Sequence, residues 1–438
     1  MRDAQAHAAI DTVIRLESPR LIAGLARYAS GDIGLAEELA QEAVVAALEQ
    51  WPGQGVPANP GAWLMTVAKR RAIDQFRRNR ELERKYAQLG RSLAAAPDDG
   101  TAALDRVVAD EIDDDLLRLI FIACHPVLPL PGRVALTLRL LGGLSTAEIA
   151  RAFVLPEPTI AQRIVRAKKT LADARVPFET PGERERQARL SAVLEVIYLI
   201  FNEGYSATAG DDWMRPDLCR EAVRLGRVLA QLAPDEPEVH GLVALMELQS
   251  SRLGARTGPS GEPVLLLDQD RSRWDRLLIR RGLDALARAE ALGGHRRPYT
   301  LQAAIAACHA RAARPEDTDW ARITALYTVL AEVMPSPIVE LNRAVAVSMA
   351  YGPQAGLDLV DQLAAEPALR GYHLLPSVRG DLLLKLGRAA EAQAEFQRAS
   401  ELTRNARERE LSAERARLAD GAAGRPAPAR TADGPPGR

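Results

Sequence analysis

Trp63, Arg70 and Arg77 follow one another at seven-residue intervals, with Arg71 and Arg78 beside them. In a helix that spacing sets them on one line, two turns per step, while Leu64, Met65, Ala68, Ala72, Ile73 and Phe76 form an apolar arc opposite. A tryptophan sharing a face with guanidinium groups offers bases a stacking surface beside a strip that binds phosphates. An amphipathic helix with a half-buried tryptophan has the same pattern, and this segment alone leaves both readings open. A second set, Thr159, Gln162, Arg163, Arg166 and Lys169, lies outside an inward row of Ile160, Ile164, Ala167 and Leu171. Gln and Arg near a helix start suit base edges, and Arg and Lys further on suit phosphates.

The elements that must carry the second set are legible. In Leu144 to Ile149, Ser145 and Glu148 make a capping box with Leu144 and Ile149 as its hydrophobic staple. A short helix follows, with Ile149, Ala150 and Phe153 inward. Val154 to Pro158 breaks it, and a new helix is expected from about Thr159 to Asp173. Short helix, tight turn and basic second helix describe a helix-turn-helix, an outline that structural helical hairpins share. The outward Gln and Arg residues favour DNA.

The whole chain has 438 residues, 47% hydrophobic and 4% aromatic, with a net charge of −1, and its Ala, Leu and Arg content points to an all-α protein. Basicity is local: Lys69 to Lys85 holds eight basic and three acidic residues, so DNA affinity should be local and modest. The acidic run Asp110 to Asp115 reads as the start of a solvated helix, with carboxylates at the positive end of its dipole. Three widely spaced cysteines, Cys124, Cys219 and Cys308, fit a reducing compartment without disulfides. Cys124-His125 has no second ligand pair at suitable spacing, so neither a metal nor a cofactor is expected. The chain opens without a signal-like segment and contains no apolar run near the roughly 20 residues of a membrane helix. A cytoplasmic protein away from membranes is expected.

Residues 8–82 read as one helical domain. Leu39, Ala43, Ala46 and Ala47 supply the inner face of a helix ending near Trp51, and Glu38, Gln41, Glu42 and Glu49 the outer. Pro52 to Gly61 should loop out before the Trp63 helix. A linker is expected over 83–109, clearest at Ala94 to Gly100, then the helix-turn-helix domain over 110–175. Pro177 and Pro181-Gly182 mark the next boundary. From 183 to 420 the chain is helical, with a broken repeat signal: Gly380, Ala392, Phe396 and Ala399 fall on small-residue and Phe positions of the tetratricopeptide (TPR) pattern. Ala222 with Pro234, Ala355 with Pro367, and Tyr327 with Pro335 fit further parts of it. Residues 421–438 have nothing to bury and should be disordered.

Taken in order, these segments resemble the extracytoplasmic-function (ECF) sigma factors of bacterial RNA polymerase. Asp32 to Trp51 and Pro60 to Arg78 are similar to sigma region 2, and Leu116 to Leu171 to sigma region 4. Phe121 to Pro126, Ile160 to Lys168, Phe201 to Tyr205, Gln269 to Trp274, Thr318 to Trp320 and Leu341 to Ala346 resemble a subgroup with a long helical C-terminal extension. The resemblance implies that Glu38, Gln41 and Glu42 grip core RNA polymerase. Asn59, in the Pro57-to-Gly61 loop, and Trp63 would serve a base flipped from the −10 element. Arg70, Arg77 and Arg78 would hold backbone near the melted edge, although many relatives carry Asn where Arg70 stands. Thr159, Gln162, Arg163, Arg166 and Lys169 would address the −35 element of promoter DNA. The extension would regulate initiation through an intramolecular or protein partner.

Two rival readings exist. A conventional activator with one helix-turn-helix and a sensing domain leaves the Trp63 helix and the Glu38-Gln41-Glu42 face without a task. An enzyme needs a convergent constellation, and no nucleophile–base or metal spacing joins Glu203, His309, Asp317 and Asp319; buried or capping roles suit them better. Trp274 and Trp320 read as helix-packing anchors.

Overall fold

The computed structural model describes residues 2–29, 31–89, 109–207, 213–259 and 261–423. Among these, eighteen α-helices form and no strand. Most of the linker expected over 83–109, including Ala94 to Gly100, and most of the tail expected over 421–438 lie outside the described residues.

The chain divides into two compact units, residues 1–200 with 224–233, and 201–223 with 234–438. In the first unit α1 (Arg2–Tyr28), α2 (Ile33–Gln54) and α3 (Pro60–Leu89) pack on one another. Asp32 starts α2 by accepting the Leu35 amide at 3.0 Å. Leu39, Ala43, Ala46 and Ala47 are buried as their period requires, and Trp51 is buried with them. The loop from Pro52 to Gly61 is shorter than expected. Pro52 lies within the last turn of α2, which ends at Gly55, φ 82°, with the Gly55 amide donating to the Trp51 carbonyl. Pro60 opens α3, where a missing amide costs nothing because the first-turn amides have no intrahelical partner.

The helix-turn-helix half comprises α4 (Ala109–Ala123), α5 (Leu130–Leu140), α6 (Thr146–Phe153) and α7 (Glu157–Asp173). The capping box at Ser145 and Glu148 is formed, and Ile149 and Ala150 are buried while Phe153 is half-buried. Val154 ends α6 at φ 51°, a left-handed conformation that costs a β-branched residue about 1–2 kcal/mol. It turns the chain into α7, which starts two residues earlier than expected because Pro158 is tolerated in a first turn. The acidic run does start a helix, but it is not all solvated. Asp115 is 1% exposed, held by Arg118 at 2.6 Å and by Arg27 of α1 at 3.5 Å.

Helix α8 (Glu183–Tyr205) does not begin a separate body at residue 183. Up to Ile200 it belongs to the first unit, with Arg189 donating to the Phe121 carbonyl at 3.3 Å and Glu195 paired with Arg133 at 3.4 Å. Helix α9 (Pro216–Leu232) likewise contributes to both units.

The second unit continues as α10 (Pro237–Ser250), α11 (Arg276–Ala291), α12 (Pro298–Arg311), α13 (Trp320–Val333), α14 (Pro337–Tyr351), α15 (Pro353–Leu363), α16 (Leu374–Lys385), α17 (Ala389–Leu402) and α18 (Ala406–Ala423). Its helices pack chiefly on sequence neighbours, as in a helical solenoid. Ala392, Phe396 and Ala399 are fully buried, and a Cβ on Gly380 would come within 2.7 Å of the Phe396 ring, so only glycine lets α16 and α17 approach. In the α14–α15 pair the tight contact falls on Gly356, which packs on Ser348, rather than on the half-buried Ala355. No described helix is long and apolar enough to cross a membrane.

Candidate nucleic-acid interface

On α3, Asn59 and Trp63 occupy the entrance. The Asn59 side chain caps the helix, accepting the Ala62 amide at 3.1 Å, and the Asn59 carbonyl accepts the Trp63 amide at 3.2 Å. Trp63 is half-buried, its ring edge-on to Trp51 with centroids 5.3 Å apart. It therefore both packs and presents a ring to solvent, which joins the two readings of the segment. Arg70 and Arg71 are exposed, and Arg71 pairs with Glu42 of α2 at 3.4 Å. Leu64, Ala68 and Ala72 are buried and Met65 half-buried, but Ile73, expected inward, is 37% exposed. The side chains of Phe76, Arg77 and Arg78 lie outside the described residues, while their backbone continues α3.

On α7 the separation into faces follows the expected rows. Ile160, Ile164, Ala167 and Leu171 are buried. Gln162, Arg166 and Lys169 are exposed, and Thr159 and Arg163 half-buried. From Thr159 to Lys169 the row spans about 15 Å at about 1.5 Å per residue, comparable with the roughly 12 Å width of a B-DNA major groove.

Glu38, Gln41 and Glu42 are exposed on α2. Their neighbour Glu37, absent from the expected set, is 4% exposed. Its carboxylate accepts from Arg139 Nε of α5 at 2.6 Å and from Gln41 Nε2 at 2.9 Å, and it pairs with Lys168 of α7. Burial pushes the Glu37 carboxyl up, but hydrogen bonds and charge from Lys168 and Arg139 prevail and hold it below its ordinary value. The signal for it was present in the sequence: Glu37 stands four residues after Ile33 and three before Ala40, both buried, so the helical period puts it on the inner face.

Cys124 lies buried beside Thr137, Sγ to Oγ1 3.4 Å, and burial raises its thiol to about 11. Among the described residues no three side chains are grouped to hold a metal ion. Asp319 caps α13, Asp317 pairs with Arg314 at 3.1 Å, Glu203 pairs with Arg215, and His309 packs edge-on against Trp320. Trp274 is buried.

Comparison with known proteins agrees with this arrangement. Residues 14–81 match the family described as Sigma-70 region 2, residues 118–171 match Sigma-70, region 4, and residues 189–290 match a family of unknown function (DUF6596). The chain is 47% identical over 402 residues to the uncharacterized protein R00370 of Rhizobium meliloti, covering 91% of this chain and 93% of that one. It is 32% identical over 171 residues to the ECF RNA polymerase sigma factor SigL of Mycobacterium tuberculosis, covering 38% of this chain and 90% of that one. No solved structure matches. With both sigma regions in order and a helical extension behind them, the chain belongs to the ECF sigma factors, the non-enzymatic subunits that direct core RNA polymerase to promoters.

Proposed function

We propose that α7 reads the −35 element through Thr159, Gln162, Arg163, Arg166 and Lys169, and that the α3 entrance serves the −10 element. There Asn59 and Trp63 would receive a flipped base, and Arg70, Arg77 and Arg78 would hold the backbone beside it. Glu38, Gln41 and Glu42 form the face offered to core polymerase. The observation that carries this reading is the division of α7 into a buried aliphatic row and a row on which Gln162, Arg166 and Lys169 are exposed and Thr159 and Arg163 half-buried. Run-off transcription with purified core polymerase tests it, because a conventional activator confers no specific initiation on core alone.

Trp63→Ala is expected to leave closed-complex binding intact and slow strand opening about tenfold or more, since one base–aromatic stack contributes about 1–3 kcal/mol. A pre-melted template should rescue it. Failure of the rescue would reduce Trp63 to a packing partner of Trp51.

The extension we take to regulate initiation through a partner, either the sigma regions or another protein. A chain ending at Ala233 keeps the whole first unit, including the buried Val193, Leu194, Ile197 and Ile200 of α8. A cut after residue 182 would strip those side chains, each contributing about 1.5–3 kcal/mol of burial. The Ala233 truncation should keep promoter binding and lose most transcription. Unchanged activity together with unchanged affinity for core polymerase would end the regulatory reading.

A further inference from the structure

Three arginines of the extension crowd together, and among the described residues none makes an ion pair, although Glu408 acts on Arg256, and Asp317 and Glu316 act on Arg271, from farther off. Arg256 is 7% and Arg271 6% exposed, and Arg252 is half-buried between them. The Arg256 guanidinium lies 3.5 Å from the centroid of the Tyr205 ring and 4.4 Å from that of Trp213. Arg252 lies 5.8 Å from the rings of both Tyr205 and Trp274, and Arg271 lies 4.9 Å from Trp274. Their hydrogen bonds go to neutral oxygens. Arg252 donates to the Tyr205 hydroxyl at 2.7 Å and Arg256 to the Tyr205 carbonyl at 2.6 Å. Arg271 donates to the carbonyls of His309 and Ala312, each at 2.7 Å, and to Thr318 Oγ1 at 3.1 Å. Among the described residues no carboxylate stands within ion-pair distance of any of the three.

Ring faces offset part of the cost of burying these charges, but they carry no net charge. The strain registers on the neighbours. Burial, with Arg252 adding to it, lowers Arg256 to about 10 and also lowers Arg271, and burial with both Arg252 and Arg271 lowers His309 to about 3. His309 is therefore neutral and supplies no compensation; Arg256 at about 10 stays charged near neutral pH. A second observation is independent of charge. Arg271 Nε and Trp274 Nε1, on side chains more than nine-tenths buried, are donors with no acceptor. Arg252 is half-buried and makes one side-chain hydrogen bond with its five N–H donors.

We propose that this cluster is a binding site for a small multivalent oxyanion, taken chiefly by Arg252 with Arg256 and Arg271 supplying the field. The guanidinium fork matches phosphoryl and carboxylate oxygens alike, so a phosphorylated and a polycarboxylate ligand share the chemistry. Such a ligand would be a chemical input to the extension. The site stands on its own geometry and not on the promoter assignments above.

The test titrates the full-length protein with pyrophosphate and, in a separate arm, with citrate, following melting temperature and tryptophan emission. Saturable binding in one arm identifies the phosphoryl or the carboxylate source. Arg252→Gln should weaken it about tenfold or more, while Arg163→Ala with Arg166→Ala should leave it unchanged. Hydrogen exchange on the wild-type protein needs no variant: bound ligand should slow exchange at residues 251–256 and 271–274. The proposal falls if neither anion binds at millimolar concentration, if Arg252→Gln binds as well as wild type, or if protection is confined to residues 159–169. In the last case the anion sits on the DNA-binding helix. A variant that melts lower yet binds equally would leave the cluster as packing alone.

Discussion

Arg163→Ala with Arg166→Ala is expected to abolish specific promoter binding at physiological salt while the melting temperature stays within the scatter of surface substitutions. Neither side chain belongs to the buried row of α7. Loss of a base contact costs about 1–3 kcal/mol, and loss of a phosphate contact lowers the salt slope by about one. A binding isotherm against salt, on a −35-dependent promoter and on unrelated DNA, separates the two roles. An arginine that reads a base loses affinity on the promoter alone; one that holds phosphate loses it on both. Wild-type affinity in the double variant would show that α7 is not the reading helix.

Glu37→Ala should separate region 2 from region 4. Its carboxylate ties α2 to both α5 and α7, and Asp115 ties α4 back to α1 through Arg27. Removing one partner of a fully buried ion pair costs about 3–5 kcal/mol. Arg139 and Lys168 keep 24% and 25% of their side chains exposed, so the loss here should be smaller. Solution scattering should report a larger radius of gyration, and the melting transition should broaden or split. The pH dependence has a definite sign. A carboxyl held below its ordinary value of 4.5 contributes stability that is present above that value and fades as pH falls through the lower, folded one. Wild type should therefore loosen in acid below about pH 4.5, and Glu37→Gln should lose that component. An unchanged radius in Glu37→Ala would mean that apolar packing alone holds the two regions together.

The DNA-facing part of the chain was legible because helical period and capping are local signals. The Ser145–Glu148 box and the α7 rows need only neighbours within one or two turns, and both formed as read. What escaped were contacts made across the chain. Helical period places Glu37 on the inner face but does not name its partners, because Arg139 and Lys168 lie more than a hundred residues away in sequence. Asp115 escaped likewise, its burial set by Arg27 of a different helix. The tetratricopeptide spacing found Phe396 and Gly380, whose partners are close in sequence. It chose Ala355 where Gly356 does the packing, since a one-residue offset in a short helix moves the contact by about 100°. The segments Phe201 to Tyr205 and Gln269 to Trp274 stood out in the sequence, but their meeting with Arg252 and Arg256 did not, because the Tyr205 and Trp213 rings arrive from a separate segment.

The Glu37 tie also bears on how much promoter affinity this protein displays. In this arrangement α7 reaches α2 through Lys168, and α2 packs on α3. One side-chain ion pair and one helix spacing of about 8–10 Å hold the helices that carry the proposed −35 and −10 readers close together. Elements centred about 25 base pairs apart span about 85 Å of B-form DNA at about 3.4 Å per pair. If α7 and the α3 entrance are those readers, the tied form and the promoter-bound form are mutually exclusive populations. Free protein displays its intrinsic affinity divided by the fraction untied, and any partner that binds the untied form better raises DNA affinity without touching DNA. By reciprocity DNA tightens that partner by the same factor. Core polymerase and promoter would then cooperate through one buried carboxylate, and Glu37→Ala should shrink their cooperativity even as it raises the affinity of each alone.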